Sequence, residues 1–499
     1  MKRAVFLAAV GLLAACPLAA AKDLQGVFDD AVKNDPVIRQ ADANRLATRE
    51  ARPQAWSAVL PQLNGTANIL RDHSSGYQDQ VTEVNNPPQP VVVPLPETID
   101  TTTTGWALNL RSNLFSWTNW MLIKAASQEV AQAEADYQAA EQNLILRVGV
   151  AYFAVLAADD ALEADQAALE AIARQLDQAN KRFEVGLIAI TDVQDAKAAR
   201  DTAAAAVIAA KRTRATVQDR LEEITGQRYD HLAKPGPDMP LRSPDPENEE
   251  RWVEVSLQQN LTLISSRLAA EIARDNVRAA VGGHLPTLDL VAGRSYSKNE
   301  SDQAIDYIAF PNVNSKINDR QIGLQFTLPI FAGGYTQSKV RESEYRWIAA
   351  KEGVVQSSRA TERQARDAYL GVNSGIARVQ ALRQALESSQ TALKATEAGY
   401  EVGTRTSVDV LNARRNLVQA QTDYAGSRYD YIVSVLQLRL AAGNLDRAQL
   451  KEINVWLTET VPTAPRETTP ENVLPNIPAP APTPAPASPG ATPPPTPRR

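Results

Sequence analysis

The stretch RFEVGLIAITDVQDAK, residues 182–197, returns in altered form as GYEVGTRTSVDVLNAR, residues 399–414. The interval is 217 residues, and the same interval separates Ala151 from Ala368, Tyr152 from Tyr369, Gly186 from Gly403, Asp192 from Asp409, Val193 from Val410 and Gly226 from Gly443. So many landmarks in one register make the chain a tandem duplication, and whatever unit the first half forms, the second must form again. Upstream, Leu60-Pro61 and Leu285-Pro286 correspond at an offset of 225, because the intervening segments differ in length.

Each copy of the phrase lies between long alanine-rich stretches. No proline interrupts Met121 to Lys181, and Val130, Ala133, Tyr137, Ala140, Leu144, Val148, Ala151, Val155, Ala158 and Leu162 follow steps of three and four. That is a coiled-coil seam with one additional step of four, where the heptad phase slips. About sixty helical residues make a rod roughly 90 Å long, which no compact domain needs. The phrase itself reads as a turn. Gly186 and Gly403 suit the left-handed residue that ends a helix, and Thr191-Asp192 and Ser407-Val408-Asp409 supply caps or first-turn acids for the next one. Each half is therefore expected to end in an αα-hairpin.

Composition agrees with rods. A chain of 499 residues would ordinarily divide into about three domains, yet aromatics make up only 6%, alanine is abundant, and glutamine, arginine and glutamate fill the spaces. The net charge is -6 and the basic residues form no stripe, which argues against nucleic acid as a partner. No stretch after the leader could cross a bilayer as a helix; the longest apolar helical run, Ala203 to Ala210, is far too short.

Four short segments alternate with period two instead: Leu63, Gly65, Ala67, Ile69; Trp106, Leu108, Leu110; Leu288, Leu290, Ala292; and Ile322, Leu324, Phe326, Leu328, Ile330. Such strands fit either soluble hairpins or a membrane barrel, in which about 9 to 11 residues span the bilayer. Between them, residues 71–105 and 294–319 are polar or proline-rich and are expected to lack regular structure. Four membrane strands cannot close a barrel alone, because open edges would lie in lipid; a ring of three copies would bring twelve strands and twelve helices together.

At the start, Lys2 and Arg3 precede the apolar run Ala4 to Ala15 and the small residues Ala19-Ala20-Ala21, so residues 1–21 read as a signal peptide with the mature chain beginning near Lys22. Leu13-Ala14-Ala15-Cys16 also has the form of a lipoprotein signal, so whether Cys16 is removed or lipidated stays open. If it is removed, the mature chain has no cysteine and no disulfide framework. His73, His231 and His284 have no metal-ligand spacing, and no phosphate loop or nucleophile motif is found, so neither a metal, a cofactor nor catalysis is expected.

The expected organisation is a first unit over 22–229, with a strand pair about 62–117 and a helical hairpin about 119–229, then a linker over 230–250. The second unit covers 251–445, with a strand pair about 286–331 and a hairpin about 336–445, followed by a segment over 446–460 and a proline-rich, disordered tail over 461–499.

With these residues in view, the chain resembles the outer-membrane factor (outer membrane efflux protein) family of Gram-negative bacteria. RQLDQANKRFEVGLIAITDVQDAKAARD from Arg174, GHLPTLDL from Gly283 and AGYEVGTRTSVDVLNA from Ala398 carry the likeness, which covers about residues 22–458. It implies an α+β membrane protein: a homotrimer with a twelve-stranded outer-membrane β-barrel, four strands per chain, continuous with a long periplasmic α-helical coiled-coil barrel. It also implies an exit duct for efflux or type I secretion, opened at its periplasmic end by an adaptor and an inner-membrane transporter.

Carried over by position, Tyr400, Arg405, Thr191 and Asp192 match the family's closed-state latch; from the residues alone, Asp192 is a helix-start acid and Arg405 a solvated charge. Asp409 matches an aspartate ring at the constriction. The second ring falls on Asn412, a departure from the pattern, while Asp195 stands one repeat before it. Adaptor docking is expected at the tips, Glu184, Val185, Gly186 and Leu187 with Glu401, Val402, Gly403 and Thr404. The other classes compatible with a leader and a coiled-coil seam are a trimeric surface rod without transport and a soluble periplasmic hydrolase.

Overall fold

The computed structural model describes residues 22–84, 89–306, 308–310 and 312–463. The leader with Cys16 and the tail from 464 lie outside the described residues. Three short helices, α1 (Leu24–Asn34), α2 (Pro36–Arg49) and α3 (Ala51–Ser57), lead into strands β1 (Gln62–Val84) and β2 (Gln89–Phe115). Two long helices follow, α4 (Trp117–Glu184) and α5 (Ile190–Thr225), and then the short strand β3 (His231–Pro235). The second half repeats the plan with α6 (Glu249–Gln259), α7 (Leu261–Val281), β4 (Thr287–Ile305), the two-residue β5 (Ile308–Ala309), β6 (Val313–Thr327), α8 (Tyr335–Glu401) and α9 (Ser407–Ala441). Helix α10 (Arg447–Asn454) and strand β7 (Leu457–Pro462) close the described chain.

The duplication is exact at the hairpins: α4 and α8, of 68 and 67 residues, end 217 positions apart, and α5 and α9 begin 217 apart. At 1.5 Å per residue each long helix is about 100 Å. Within the seam, Leu144, Val148, Ala151, Val155, Ala158 and Leu162 are buried, while Val130, Ala133, Tyr137 and Ala140 are half-buried in the single chain. No described helix is long and apolar enough to cross a membrane.

The four long strands form one antiparallel sheet in the order β1-β2-β4-β6, which leaves β1 and β6 as its edges. Register places Leu63, Leu110, Ala292 and Ile322 in one row on one face, and Asn64, Asn109, Gly293 and Gln321 in the neighbouring row on the other. Among the described residues nothing covers the apolar face: Ile322 is 81% exposed and Leu63 66%.

Residues 71–105 and 294–319 are not the irregular loops expected. Strands β1 and β2 stay paired from Gln62↔Arg111 to Val84↔Gln89, and β4 pairs with β6 from Thr287↔Thr327 to Ser301↔Val313. Proline was read as a breaker, but Pro90, Pro94 and Pro96 fall at alternate positions of β2, and the Pro96 carbonyl accepts from the Asp306 amide at 2.8 Å. That parity faces away from β1, so the missing N–H groups lie on the outer side of β2 and cost no bond in the β1–β2 ladder. Pairing with β4 runs only as far as Glu97↔Ile305. Beyond it β1 and β2 continue as a two-stranded arm with a donor-poor outer edge.

The main core lies where the helices meet the short elements. Tyr152 and Phe153 of α4 pack with Tyr429, Ile432 and Leu436 of α9, together with Leu24 and Phe28 of α1, Leu232 of β3, Trp252 of α6 and Leu450 of α10. Tyr152 donates to the Ala233 carbonyl at 2.6 Å, and β3 pairs antiparallel with β7. The segments 230–250 and 446–460 are thus built elements as well as connections. The tail boundary moves from 461 to beyond Thr463, whose amide donates to Asp230, because pairing with β3 satisfies the backbone through Pro462.

Gly443 ends α9 with φ 75°, and a Cβ there would overlap the Gln259 carbonyl and come within 2.8 Å of the Asn260 amide nitrogen. Gly403 has φ 78° and nothing within 4 Å. Gly403→Ala should cost only the left-handed penalty, about 1 kcal/mol, and Gly443→Ala a further overpacking cost of about 1–3 kcal/mol. Thermal unfolding of the detergent-solubilised protein checks this, and equal midpoints for the two variants would contradict it.

Candidate functional site at the hairpin tips

Both tips are built by the same backbone motif. The Gly186 amide donates to Phe183 O at 2.9 Å and Leu187 to Arg182 O at 2.9 Å; one repeat later, Gly403 donates to Tyr400 O at 3.1 Å and Thr404 to Gly399 O at 2.8 Å. These paired bonds, with a left-handed glycine between them, satisfy the last carbonyls of α4 and α8 and reverse the chain. Glu184, Val185, Gly186, Leu187, Glu401, Val402, Gly403 and Thr404 are all exposed. Val185, Leu187 and Val402 are 69–75% exposed, so the extremities present apolar side chains to water. Beneath the first tip Ala179, Val193 and Ala196 form a small core. Beneath the second, Arg414 is paired with Glu397 at 2.5 Å.

The two halves diverge at the start of the returning helix. Thr406 caps α9: its hydroxyl accepts from the Asp409 amide at 3.2 Å, and the Asp409 carboxylate accepts from the Thr406 amide and hydroxyl, both at 2.9 Å. The Thr406 backbone N–H, then its hydroxyl, hold the Asp409 carboxyl below its usual range, with Arg405 adding a smaller effect. In α5 the equivalent cap is Ala189, which makes no side-chain bond. Asp192, the counterpart of Asp409, is half-buried in the first turn of α5 and has no side-chain partner among the described residues.

Tyr400 is half-buried, and the Arg182 guanidinium lies 5.2 Å from its ring centroid, a cation–π contact that joins the two hairpins. No hydrogen bond joins the Tyr400 hydroxyl to Asp192 within the chain. Arg405 is exposed; its amide donates to Gly399 O at 3.1 Å, and its stem lies so close to Gly399 that a Cβ there would be 2.8 Å from Arg405 Cγ. Among the described residues Arg405 has no carboxylate within hydrogen-bond reach. Thr191, Asp195 and Asn412 are exposed.

Arg182 was not singled out from the sequence, yet a signal existed: within the repeated phrase, arginine at 182 stands opposite glycine at 399. The arginine reaches Tyr400, and the glycine makes room for Arg405. Among the described residues no group of three or more His, Cys, Asp or Glu is placed to hold a metal ion.

The sequence profile described as outer membrane efflux protein matches residues 27–227 and 252–444, one segment on each repeat. The chain belongs to the outer membrane efflux protein family. It is similar to the outer membrane protein TolC of Vibrio cholerae, at 37% identity over 437 residues that cover 88% of this chain and 94% of the relative. It is also similar to the alkaline protease secretion protein AprF of Pseudomonas aeruginosa, at 26% identity over 84% of each chain. In fold it resembles the crystal structure of the outer membrane protein VceC of Vibrio cholerae, with a TM-score of 0.64 at 21% identity over 84% of this chain and 96% of that one.

As an outer membrane efflux protein the chain is an outer-membrane exit duct with a large periplasmic extension. The apolar sheet face is the part suited to lipid, and the tips are the periplasmic end.

Because the Asp409 carboxyl is depressed in the folded chain, its contribution to the α9 cap is complete above the unfolded pKa and is lost as pH falls through the folded value. The cap is therefore unchanged from about pH 5 upward. Thr406→Ala should speed amide exchange over residues 407–411 about fivefold, while Ala189→Thr should slow it over 190–194. Hydrogen-exchange mass spectrometry at neutral pH checks both; no change in the first variant would contradict the cap.

Proposed function

We propose that three copies join through the β1 and β6 edges into a closed twelve-stranded barrel, with the long hairpins arrayed below as a twelve-helix tunnel. The observation that carries this is a lipid-suited sheet with two unpaired edges. In a bilayer each unpaired N–H and C=O would cost several kcal/mol, on the order of 2–7, and joining β1 of one copy to β6 of the next removes the cost.

The duct acts passively, without catalysis. Its periplasmic end is closed at rest and is opened by a periplasmic adaptor and an inner-membrane transporter docking at the tips. Exposed Val185, Leu187 and Val402 support docking there, since apolar side chains at an extremity gain most from a partner. The names of the similar proteins cover efflux and protease secretion, so the cargo is selected by the transporter, and small molecules and unfolded polypeptides both fit.

Closure rests on the latch. Arg405, with no carboxylate within hydrogen-bond reach among the described residues, is available to a carboxylate of the neighbouring copy, and Asp192, unused by any cap, is available to receive a donor. Tyr400, held by Arg182, ties the inner hairpin to the outer one. At the neck, three Asp409 carboxylates kept ionised by Thr406 favour cations. Asn412 contributes no charge, and Asp195, on the outer hairpin of the same layer, supplies part of the missing field.

In planar bilayers the Arg405→Ser/Tyr400→Phe variant should conduct several-fold more than the parent, since each lost charge-assisted or aromatic contact is worth about 1 kcal/mol or more. Pores of unchanged conductance would overturn the latch and leave the duct standing. In the same recordings Asp195→Asn should weaken block by a trivalent cation; block as strong as in the parent would remove Asp195 from the neck.

A further inference from the structure

The outward face of the sheet carries an arrangement that the duct does not use. Along β6 the apolar positions Phe326, Leu324 and Ile322, preceded on the helix side by the exposed Leu328 and Ile330, give way to Arg320, and along β4 Leu288, Leu290 and Ala292 give way to Arg294. Register places Arg294 directly opposite Arg320 and, two rows farther from the helices, Lys298 directly opposite Lys316. Between the two cation rows Trp106 faces Tyr296 across the β2–β4 ladder. Like charges directly opposite on one face of a sheet repel, so two such pairs in succession destabilise the bare strand pair.

The chain does not neutralise them. Lys298 is paired with Glu300, but Arg294, Arg320 and Lys316 are exposed and have no carboxylate partner among the described residues. Asp289 and Asp319 alternate onto the opposite face, and the other acids of β2 and β4 that share the outward face, Asp302 opposite Asp100, stand beyond the Lys298 row and away from the arginine pair. A neighbouring copy does not help either. On the face that β1 shares with Leu63, no acid of β1 occurs from 63 to 77; Arg71 adds a further basic group there, while His73 is paired with Asp100 of β2 at 2.6 Å.

Height identifies the occupant. From Thr327 to Arg320 strand β6 climbs about 18 Å when tilted near 40°, and the exposed Leu328 and Ile330 extend the apolar stretch below it toward the roughly 25 Å height of the apolar band of an outer-membrane barrel. The cations therefore stand at the outer-leaflet boundary, on the lipid side, with an aromatic pair of the kind that sits at headgroup level. A soluble anion would gain nothing from the apolar rows beneath, whereas an acylated one lays its chains on Ile322 and Leu324.

We propose that the outward face of β4 and β6 is a binding site for a phosphorylated lipid headgroup of the outer leaflet, with Arg294 and Arg320 clamping the phosphate and Lys298 and Lys316 reaching a second one. Arginine is suited to the first row because its planar fork meets phosphate oxygens in pairs. The site rests on insertion of the sheet in the outer membrane and is independent of the latch and the docking tips.

The test uses the full-length protein in nanodiscs, titrated with bisphosphorylated lipid A and with the same lipid after phosphatase treatment, bound lipid being counted by native mass spectrometry. The parent should retain the phosphorylated form at least tenfold more tightly than the dephosphorylated one, and Arg294→Gln/Arg320→Gln should lose about tenfold or more of that affinity. Lys316→Gln, which leaves the first row intact, should lose less. Parental affinity in the double variant, equal binding of the two lipid forms, or full displacement by millimolar inorganic phosphate would each overturn the proposal. Single-channel conductance of the double variant, expected at the parental value, reports separately that the barrel is inserted and conducting.

Discussion

Backbone hydrogen bonding in lipid is the constraint on which the rest of this molecule depends. Four antiparallel strands with a bare apolar face can enter a bilayer only if the edges at β1 and β6 are taken up. Among the described residues of one chain nothing does so, because the helices attach at the Thr287 and Thr327 end of the sheet and run away from it. The half-buried upper seam of α4, from Val130 to Ala140, is incomplete in the same sense. Sheet and rods each lack a neighbour, and a ring of copies supplies both at once.

Duplication makes such a ring economical, but the working end lies where the copies differ. The two tips share the paired bonds around their left-handed glycine, so turn geometry is common property, and the second adds the Arg405 amide to Gly399 O. The differences are a capping threonine in place of alanine, and glycine in place of arginine. The first commits Asp409 to the α9 start and keeps it charged, while its counterpart Asp192 is left uncommitted. The second gives the outer hairpin a cation over Tyr400 and the inner one space for Arg405. A symmetric ancestor would have had neither an asymmetric contact nor two non-equivalent hairpins.

Much of this was legible in the sequence because long helices announce themselves by spacing and their turns by glycine. The hairpin ends were placed to within a few residues on the strength of Gly186 and Gly403 alone. The strands were seen only where alternation was apolar. Their extension through Thr101 to Thr104 and past Pro90, Pro94 and Pro96 was missed, because a proline's effect depends on which way its missing N–H would have pointed, and that follows from pairing rather than composition. The short β3 and β7 hold together through partners more than 200 positions apart, beyond any local window. Arg182 and the opposed arginines of β4 and β6 become visible only once register or contact is known.

The central claim is that the edges of this sheet are completed by other copies of the same chain. Native mass spectrometry of the protein extracted from outer membranes in mild detergent tests it most directly. Particles of three chains, with no folded monomer, are the expected result; a stable monomer that keeps its strand content would contradict the account.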